Sequence, residues 1–204
     1  MVKKLIIVGT GFHAQHLFRC VEENIFIKIK KNSIKGFITF DKKQKTFLNK
    51  PCKYFYDIKN FDKNVDYFNS ISDVFFRKKV TAKLIKQKLK IINLISKFAI
   101  ISEKVNFGYG NFVFLHTNIH HDCDIGNSNF IFNYVNIAHH NKIGSFNNFF
   151  NYSSTSGNCM CNDLNNFFEH SLVLPKKKIG SNCIVFERAT VSKNMKDYEI
   201  KKNK

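Results

Sequence analysis

The sequence has no long apolar run. No segment reaches the roughly 18 consecutive apolar residues that a membrane-spanning helix needs, so we expect no membrane span. The apolar run before the first glycine, Gly9, has only four residues, Leu5–Val8, whereas the core of a secretory signal has about 7–15. Together these absences predict a cytoplasmic protein.

Acidic residues are also scarce. The 204-residue chain has 15 Asp+Glu against 33 Lys+Arg, which gives a formal net charge of +18. Such an excess favours anionic partners. The lysines are scattered, however, and no recognised nucleic-acid-binding motif accompanies them. We therefore expect most of this charge to be a solvated surface, with a minority that attracts a polyphosphate ligand, and no nucleic acid.

The chain can still bury a core, because 44% of it is hydrophobic and it contains 23 Phe. Six cysteines in a cytoplasmic protein predict buried thiols rather than disulfides. Only Cys159 and Cys161 lie close together, and no second pair is nearby. A metal or redox site is therefore not expected at this pair.

The second half of the chain repeats every six residues. Counted in sixes from Ile101 to Val191, fourteen of the sixteen first positions are Ile, Val or Phe, and the phase never slips. The period is neither the 3.6 of an α-helix nor the 2 of a plain strand. It therefore predicts short strands separated by corners.

A longer period of 18 residues lies inside the first. Glycine follows the apolar residue at 108, 126, 144 and 180, and Asn162 takes the missing place. Because glycine and asparagine tolerate positive φ, we expect a tight corner at these positions. Three sixes then make one circuit, which predicts a three-sided parallel β-helix about five coils high.

The fifth position of each six is often small, as a second inward-facing site requires. The residues at these positions are Val105, Thr117, Cys123, Val135, Ser153, Cys159, Ser171, Cys183 and Ala189. A β-sandwich is the alternative architecture, but sandwich strands do not keep phase over so many turns.

The first half opens on a buried strand, a glycine turn and a segment with helical apolar spacing. This order is typical of a nucleotide-binding βαβ unit, in which N–H groups at the helix N-terminus meet a phosphate. Gly9, Gly11 and His13 are therefore candidate ligand-binding residues. The third glycine of the G-x-G-x-x-G pattern is absent, because Ala14 takes its place.

The remaining predicted elements of this half are strands over 34–40 and 65–71, a basic helix over about 75–90 and a strand over 91–100. Asp41 ends the first of these strands, where its carboxylate could accept a hydrogen bond from a ribose or sugar hydroxyl. The alternative role for Asp41 is that of a turn or cap residue. Ser72 follows the second strand.

With both halves in view, the chain resembles the sialic-acid O-acetyltransferase and bacillosamine N-acetyltransferase family of bacterial nucleotide-sugar acyltransferases. The segments that carry the resemblance are Ile6-Ile-Val-Gly-Thr-Gly-Phe-His-Ala, Phe68-Asn-Ser-Ile-Ser-Asp followed by Arg77-Lys-Lys, Ile92-Asn-Leu-Ile-Ser-Lys-Phe-Ala, Ile137-Ala-His-His-Asn-Lys-Ile-Gly, Ser156-Gly-Asn and Val173-Leu-Pro. The resemblance implies an α/β Rossmann-like nucleotide-sugar-binding domain over 1–98, followed by an all-β left-handed parallel β-helix acyltransferase domain over 99–204. The left hand is taken from the family and opposes the usual right-handed crossover rule.

In that family the catalytic base is a His at the third place of a six, followed by an acid. Counting back from Val173-Leu-Pro places the base at His139, where neutral imidazole suits proton removal at pH 7. His140 stands where the family carries the acid. Asp122 lies 18 residues before His140, so the neighbouring coil could supply the acid. His121 occupies the place of His139 one coil earlier and is the alternative base.

The same resemblance implies the binding residues. Acetyl-CoA is expected at Ser156, Gly157 and Asn148, with backbone N–H groups near Ser156-Gly157 holding the thioester or its oxyanion. The nucleotide sugar is expected at Gly9, Gly11, His13, Asp41, Ser72 and His121. The family's glycines are replaced in Val185-Phe-Glu-Arg-Ala-Thr, and its Gly-x-Pro-Ala tail is missing.

Residues 120–124 resemble metal ligands by type, but neighbours on a strand point to opposite faces and cannot all converge. We therefore expect no metal. The implied activity is acetyl-CoA-dependent N-acetylation of a nucleotide-linked amino sugar for surface glycans or glycoproteins, by a homotrimer with its sites between subunits. The alternatives are a sugar O-acetyltransferase of the sialic-acid type and a catalytically retired homologue that binds a sugar nucleotide.

Overall fold

The computed structural model describes residues 4–203. The chain forms two compact units that divide between Leu94 and Ile95. Sequence reasoning placed this boundary after residue 98. The structure places it earlier because the strand at 94–95 already belongs to the ladder of the second unit.

The first unit is a five-stranded sheet with two helices. Its elements are β1 (Leu5–Val8), α1 (Phe12–Glu22), β2 (Ile34–Thr39), β3 (Thr46–Phe47), β4 (Lys50–Tyr54), a 3-10 turn (Phe55–Asp57), β5 (Asp66–Asn69) and α2 (Val74–Lys86). The strand order is β3-β4-β2-β1-β5, and every pair is parallel except β3 with β4. Among residues 4–203, no helix is long and apolar enough to cross a membrane.

Strand β1 lies between β2 and β5, and its residues Leu5, Ile7 and Val8 are fully buried. Because β2 and β5 flank β1 in parallel, the carboxyl ends of all three strands meet at one edge. The segments that follow them begin at Gly9, Phe40 and Ser70. The predicted glycine loop therefore lies at a point where the chain leaves β1 for strands on either side.

Three details of this unit differ from the sequence expectation. The helix α2 ends at Lys86 rather than Lys90, because Lys88 adopts φ 57. The segment 91–100 is not one strand. The hairpin of β3 and β4 was not predicted, since its turn residues Leu48 and Asn49 both have positive φ without the usual glycine.

The second unit is a left-handed parallel β-helix built from two-residue strands. They are β6 (Leu94–Ile95), β7 (Ile100–Ile101), β8 (Asn106–Phe107), β9 (Phe112–Val113), β10 (Asn118–Ile119), β11 (Asp124–Ile125), β12 (Phe130–Ile131), β13 (Asn136–Ile137), β14 (Lys142–Ile143), β15 (Asn148–Phe149), β16 (Ser154–Thr155), β17 (Met160–Cys161), β18 (Asn166–Phe167), β19 (Leu172–Val173), β20 (Lys178–Ile179), β21 (Ile184–Val185), β22 (Thr190–Val191) and β23 (Ile200–Lys201). Every third strand pairs, so the described residues form three parallel sheets of six, five and seven strands.

The pairing register confirms the predicted circuit of three sixes, since Ile119 lies beside Ile137 and Ile125 beside Ile143. The first positions fill the interior, where the rings of Phe149 and Phe167 stack at 4.5 Å. The small fifth positions are buried as predicted, apart from Val105, which is half-buried. The two inward positions of each six together form the core of the β-helix.

The predicted corner at the glycines is wrong. From 104 to 188 the positive-φ residue is the fourth of every six, and it is rarely glycine. The glycine positions instead serve close contact between coils. A Cβ on Gly126 would lie 2.5 Å from the carbonyl oxygen of Gly144, and one on Gly180 would lie 2.5 Å from the Asp197 nitrogen.

Four buried asparagines form a ladder that sequence reasoning missed. They share the fifth position of the six with the small residues and are Asn111, Asn129, Asn147 and Asn165. The Oδ1 of Asn129 accepts from the backbone nitrogen of Asn147 at 2.9 Å and from its Nδ2 at 3.0 Å, while the Nδ2 of Asn129 donates to Gly144 O at 2.9 Å. Each amide therefore satisfies corner groups that the strands leave unpaired.

Replacing Asn129 by alanine is expected to lower the free energy of unfolding by about 3 kcal/mol, because each buried group left unsatisfied costs about 1–3 kcal/mol. Urea titration followed by circular dichroism measures the change. Asn162→Ala, at an exposed asparagine of the same β-helix, is the control and should stay within about 0.5 kcal/mol of wild type. Equal effects of the two substitutions would contradict a structural role for the ladder.

The cysteines behave as predicted. All six are free thiols, and only Cys52 is not buried. Burial raises the pKa of Cys161, and the Cys159 thiol donates to Leu174 O at 3.2 Å. Both side chains are part of the core of the β-helix.

Candidate functional sites

A cavity of about 460 Å³ opens at the carboxyl edge of the N-terminal sheet. Residues 9–13, 39–41 and 70–72 line it, so the structure brings together the five predicted binding residues of this unit: Gly9, Gly11, His13, Asp41 and Ser72. The cavity has the volume of a small-ligand site.

The glycine loop is shaped by its backbone. Gly9 has φ 109, and a Cβ there would lie 2.8 Å from Ser70 Oγ, so no other residue fits without strain. Gly11 is the N-cap of α1, and no side chain caps that helix end. A helix N-terminus without a cap presents backbone N–H groups and a partial positive charge to the cavity. It is suited to bind an anion such as phosphate.

Asp41 lies at the cavity and also fills the turn role considered above. Its Oδ1 accepts from the Lys43 nitrogen at 2.9 Å, and its own N–H donates to Thr39 Oγ1 at 3.1 Å. The two readings of Asp41 are therefore compatible, because the turn fixes the carboxylate at the rim.

The sequence analysis assigned Arg77 no role in the site, but Arg77 holds the backbone of two residues that line the cavity. Its side chain is fully buried, and Nη1 donates to the carbonyls of Ile71 at 2.9 Å and Ser72 at 3.0 Å. Burial lowers the pKa of Arg77 to about 9, so the group is cationic at neutral pH. Its signal in the sequence is a lone arginine in the first turn of a lysine-rich helix, which only packing distinguishes from its neighbours.

His13 is half-buried in the first turn of α1. Burial lowers its pKa, and the positive charges of Arg77 and His16 lower it further. The imidazole is therefore biased towards its neutral form, in which one ring nitrogen donates and the other accepts.

A second site is a cluster of three histidines and one aspartate on two adjacent coils of the β-helix. His121 and Asp122 occupy one corner, and His139 and His140 occupy the same corner in the next coil. The rings of His121 and His139 stack at 5.5 Å with a 10° angle. The predicted residues of this corner therefore meet, as the 18-residue register requires.

Hydrogen bonds link the members of the cluster. His139 Nδ1 lies 2.9 Å from His140 Nδ1, and His121 Nδ1 lies 2.7 Å from Asp122 Oδ2. The same Oδ2 is 3.8 Å from His140 Nε2. Asp122 therefore sits between the two coils, directly bonded to His121 and close to His140. The bond from His121 lowers the pKa of Asp122, and Lys104 adds to this effect.

These contacts dictate tautomers. Of two neutral imidazoles that meet through Nδ1, one must donate and one must accept. If His139 donates, its Nε2 carries a lone pair, and the Nε2–H of His140 faces the Asp122 carboxylate. His121 donates Nδ1–H to Asp122, so its Nε2 is also a lone-pair nitrogen. Both histidines considered from the sequence can thus act as bases.

Gly157 distinguishes the two histidines. It stands 18 residues after His139, and a Cβ there would lie 2.7 Å from His139 Cε1 and 2.9 Å from Nε2. The missing side chain leaves room for the His139 ring, whereas His121 has His139 above it. Of the two histidines, only His139 therefore has a glycine beside its ring in the next coil.

The predicted acetyl-CoA residues do not all meet at this corner. The Ser156 N–H donates to Val173 O at 2.9 Å, which corrects the expectation that it could hold an oxyanion. Among the described residues, no hydrogen-bond acceptor is seen for the Gly157 N–H. Asn148 lies on β15, in a different sheet from β13 and β14, which flank His139, and its Nδ2 donates to Asn166 Oδ1 at 2.9 Å.

Three side chains of the cluster also offer possible metal-ligand atoms close to one another. One ligand atom from each of His121, Asp122 and His140 lies within 4.8 Å of the others, and all three residues are exposed. The argument that residues 120–124 cannot all converge still holds, since His120 bonds Asn118 instead. His140 of the next coil supplies the third group, which sequence reasoning did not consider for a metal.

Solved structures share this architecture over the whole chain. The perosamine N-acetyltransferase from Caulobacter crescentus, as a histidine mutant in complex with CoA and GDP-perosamine, superposes with a TM-score of 0.83 at 17% identity, covering 100% of this chain and 99% of that chain. The acetyltransferase domain of PglB from Neisseria gonorrhoeae, in complex with acetyl coenzyme A, gives 0.84 at 13% identity, covering 98% and 96%. WeeI from Acinetobacter baumannii gives 0.77 at 19%, covering 96% and 94%.

The chain shares its fold with these proteins. The resemblance indicated by the sequence motifs is thus confirmed at the level of the fold, including the left-handed β-helix. Identities this low leave the activity to be argued from the sites.

No protein-family model matches the chain. Among curated proteins, the DNA mismatch repair protein MutL of Buchnera aphidicola is 33% identical over 81 residues. The match covers 40% of this chain and spans only 13% of that protein. So short a stretch defines no shared family.

Proposed function

We propose that the protein is an acetyl-CoA-dependent N-acetyltransferase that acts on a nucleotide-linked amino sugar. The observation that carries the proposal is the array of His139, His140 and Asp122 beside Gly157. It supplies an imidazole whose Nδ1 is held by His140, and His140 in turn lies close to the Asp122 carboxylate. The Nε2 of His139 has no hydrogen-bond partner among the described residues. Such an arrangement is suited to general-base catalysis.

In the proposed reaction the sugar amine attacks the thioester carbonyl carbon of acetyl-CoA. His139 Nε2 takes the proton that the amine nitrogen loses, while Nδ1–H remains bonded to His140. The protonated His139 is stabilised by His140, which accepts from its Nδ1–H, and by the Asp122 carboxylate that faces the other nitrogen of His140. The Gly157 N–H can donate to the oxyanion. The C–S bond then breaks, and the amide and CoA are released with the proton returned to the sulfur.

The N-terminal unit is the proposed nucleotide-sugar domain, of the Rossmann-like class. Its support is the cavity at the carboxyl ends of β1, β2 and β5, where the strand order reverses. The α1 N-terminus would bind the diphosphate, and Asp41 would accept from a ribose hydroxyl. The excess of basic residues suits two polyphosphate substrates.

Three finer features stay part of this proposal. Two of the solved structures, those of the Caulobacter crescentus and Neisseria gonorrhoeae proteins, contain CoA or acetyl coenzyme A, which supports the same acyl donor here. We further propose a homotrimer, in which a neighbouring subunit would complete each site. A cytoplasmic location and a role in surface glycans or glycoproteins remain predictions from the sequence.

The test is incubation of the protein with acetyl-CoA and a panel of UDP-, GDP- and dTDP-linked amino sugars, with mass spectrometry of the sugar product. The expected result is an N-acetylated sugar and an equal amount of free CoA. Sialic acid is included as a hydroxyl acceptor. Acetylation of sialic acid alone would favour the O-acetyltransferase, and binding without any turnover would favour a retired homologue, to which the replacement of the acid by His140 points.

A further inference from the structure

We propose that Phe12 is a specificity-determining residue of the N-terminal cavity and stacks on the nucleobase of the bound nucleotide. The inference rests on the proposed function, because it assumes that this cavity binds a nucleotide sugar. It deepens that function by assigning the part of the ligand that the glycine loop alone does not recognise.

The first observation is the exposure of Phe12. Its side chain is 89% exposed, although it lines the cavity and follows the N-cap Gly11 directly. Single exposed apolar residues are common on protein surfaces and need no explanation by themselves. An almost fully exposed phenyl ring in the lining of a cavity is different, because a ligand bound in the cavity can cover the ring and remove it from water.

The second observation is the other aromatic residue that lines the cavity. Phe40 also lines the cavity, but its ring is fixed by neighbours, 5.0 Å from Phe55 and 4.8 Å from Phe76. Phe12 has no aromatic partner among residues 4–203. The cavity thus has one rigid aromatic wall and one aromatic group that is free to pack on a ligand.

The chemistry of the cavity separates the parts of the ligand. Phosphates gain from the uncapped N–H groups of α1 but gain nothing from a phenyl ring. A flat, heteroaromatic base gains from stacking on such a ring. Because Phe12 is the first residue of α1, the aromatic surface and the anion-binding N–H groups are adjacent, as a base and a diphosphate are in one nucleotide.

Phe12→Ala is expected to weaken binding of UDP, GDP or dTDP about tenfold to a hundredfold, the range found when one base-stacking aromatic is removed. Binding of inorganic pyrophosphate, which has no base, should not change. Phe12→Trp should retain nucleotide affinity. Isothermal titration calorimetry on the 204-residue chain measures each constant without requiring turnover.

Phe75→Ala is the matched control. Phe75 is 57% exposed in the first turn of α2 and does not line the cavity, so its removal should leave every affinity unchanged. Unfolding temperatures of both variants are compared with wild type. Because both rings are largely exposed, neither substitution is expected to change stability by an amount that affects binding.

The outcomes separate this inference from the proposed function. If wild type binds no nucleoside diphosphate and no nucleotide sugar, the proposed substrate class is wrong. If wild type binds them and Phe12→Ala binds equally well, the cavity stands and the role of Phe12 is overturned. A loss confined to ligands that carry the amino sugar would also overturn it, since the ring would then contact the sugar.

Discussion

His139→Ala is expected to reduce kcat about 10²–10⁴-fold, the contribution typical of a general base. In this variant the amine can still bind beside the thioester, but the imidazole beside Gly157 that would take its proton is missing. Because His139 is exposed, the unfolding temperature should stay close to that of wild type. Steady-state assays with acetyl-CoA and the best acceptor from the panel measure the change.

Two variants of the same corner test the assignment of the base. His121→Ala should retain more activity than His139→Ala, since His121 acts only through ring stacking and Asp122. Asp122→Asn should lower kcat less than His139→Ala, and asparagine tolerates the positive φ of this position. His120→Ala is the control, because His120 bonds Asn118 outside the cluster. Full activity of His139→Ala together with loss in His121→Ala would show that the base is His121.

Gly157→Ala is expected to lower kcat about 100-fold with little loss of stability, since a 1 Å misplacement in a catalytic site can cost that factor. The added Cβ would lie 2.7 Å from His139 Cε1, closer than real contacts allow. The exposed imidazole can swing away, so the fold tolerates the methyl group and the base is displaced. The KM for the nucleotide sugar should not change.

A double-mutant cycle identifies the cause. In a His139→Ala background, Gly157→Ala should have almost no further effect, because the ring that it displaces is gone. Gly126→Ala is expected to destabilise the protein in both backgrounds. Its Cβ would meet the backbone of Gly144, which cannot move aside as the ring of His139 can. An equal loss of kcat in both backgrounds would mean that Gly157 acts independently of His139.

Much of the β-helix could be predicted, because an apolar residue at every sixth position has few structural solutions. The inward column, the 18-residue register and the corner that unites His121 with His139 all follow from that spacing. The positive-φ residues did not follow, since Tyr134, His140 and Lys176 occupy them and give no turn signal. Buried Asn129 was equally hidden, because asparagine is common throughout this chain.

The sites were predictable only in part. The glycine loop and the strand ends indicated the edge of the N-terminal sheet at which the structure has a cavity. Arg77 escaped notice because burial of one cation among several on a helix is decided by packing. The Ser156 N–H donates to a carbonyl of the next coil, whereas no acceptor is seen for the Gly157 N–H among the described residues. Hydrogen bonds between coils decide this difference, and the local sequence does not show them.

The corner residues of the β-helix carry a backbone strain of about 1 kcal/mol or more each when they are not glycine. At most corners a glycine or asparagine would relieve that strain, so such substitutions are expected to raise the free energy of unfolding. His140 occupies one such corner at φ 57, and Asp122 occupies the equivalent corner one coil below at the same φ. Glycine at these two places would relieve the strain, but it would remove the imidazole that bonds His139 and the carboxylate that faces that imidazole. Any gain in stability there would therefore be accompanied by a loss of orientation of the base.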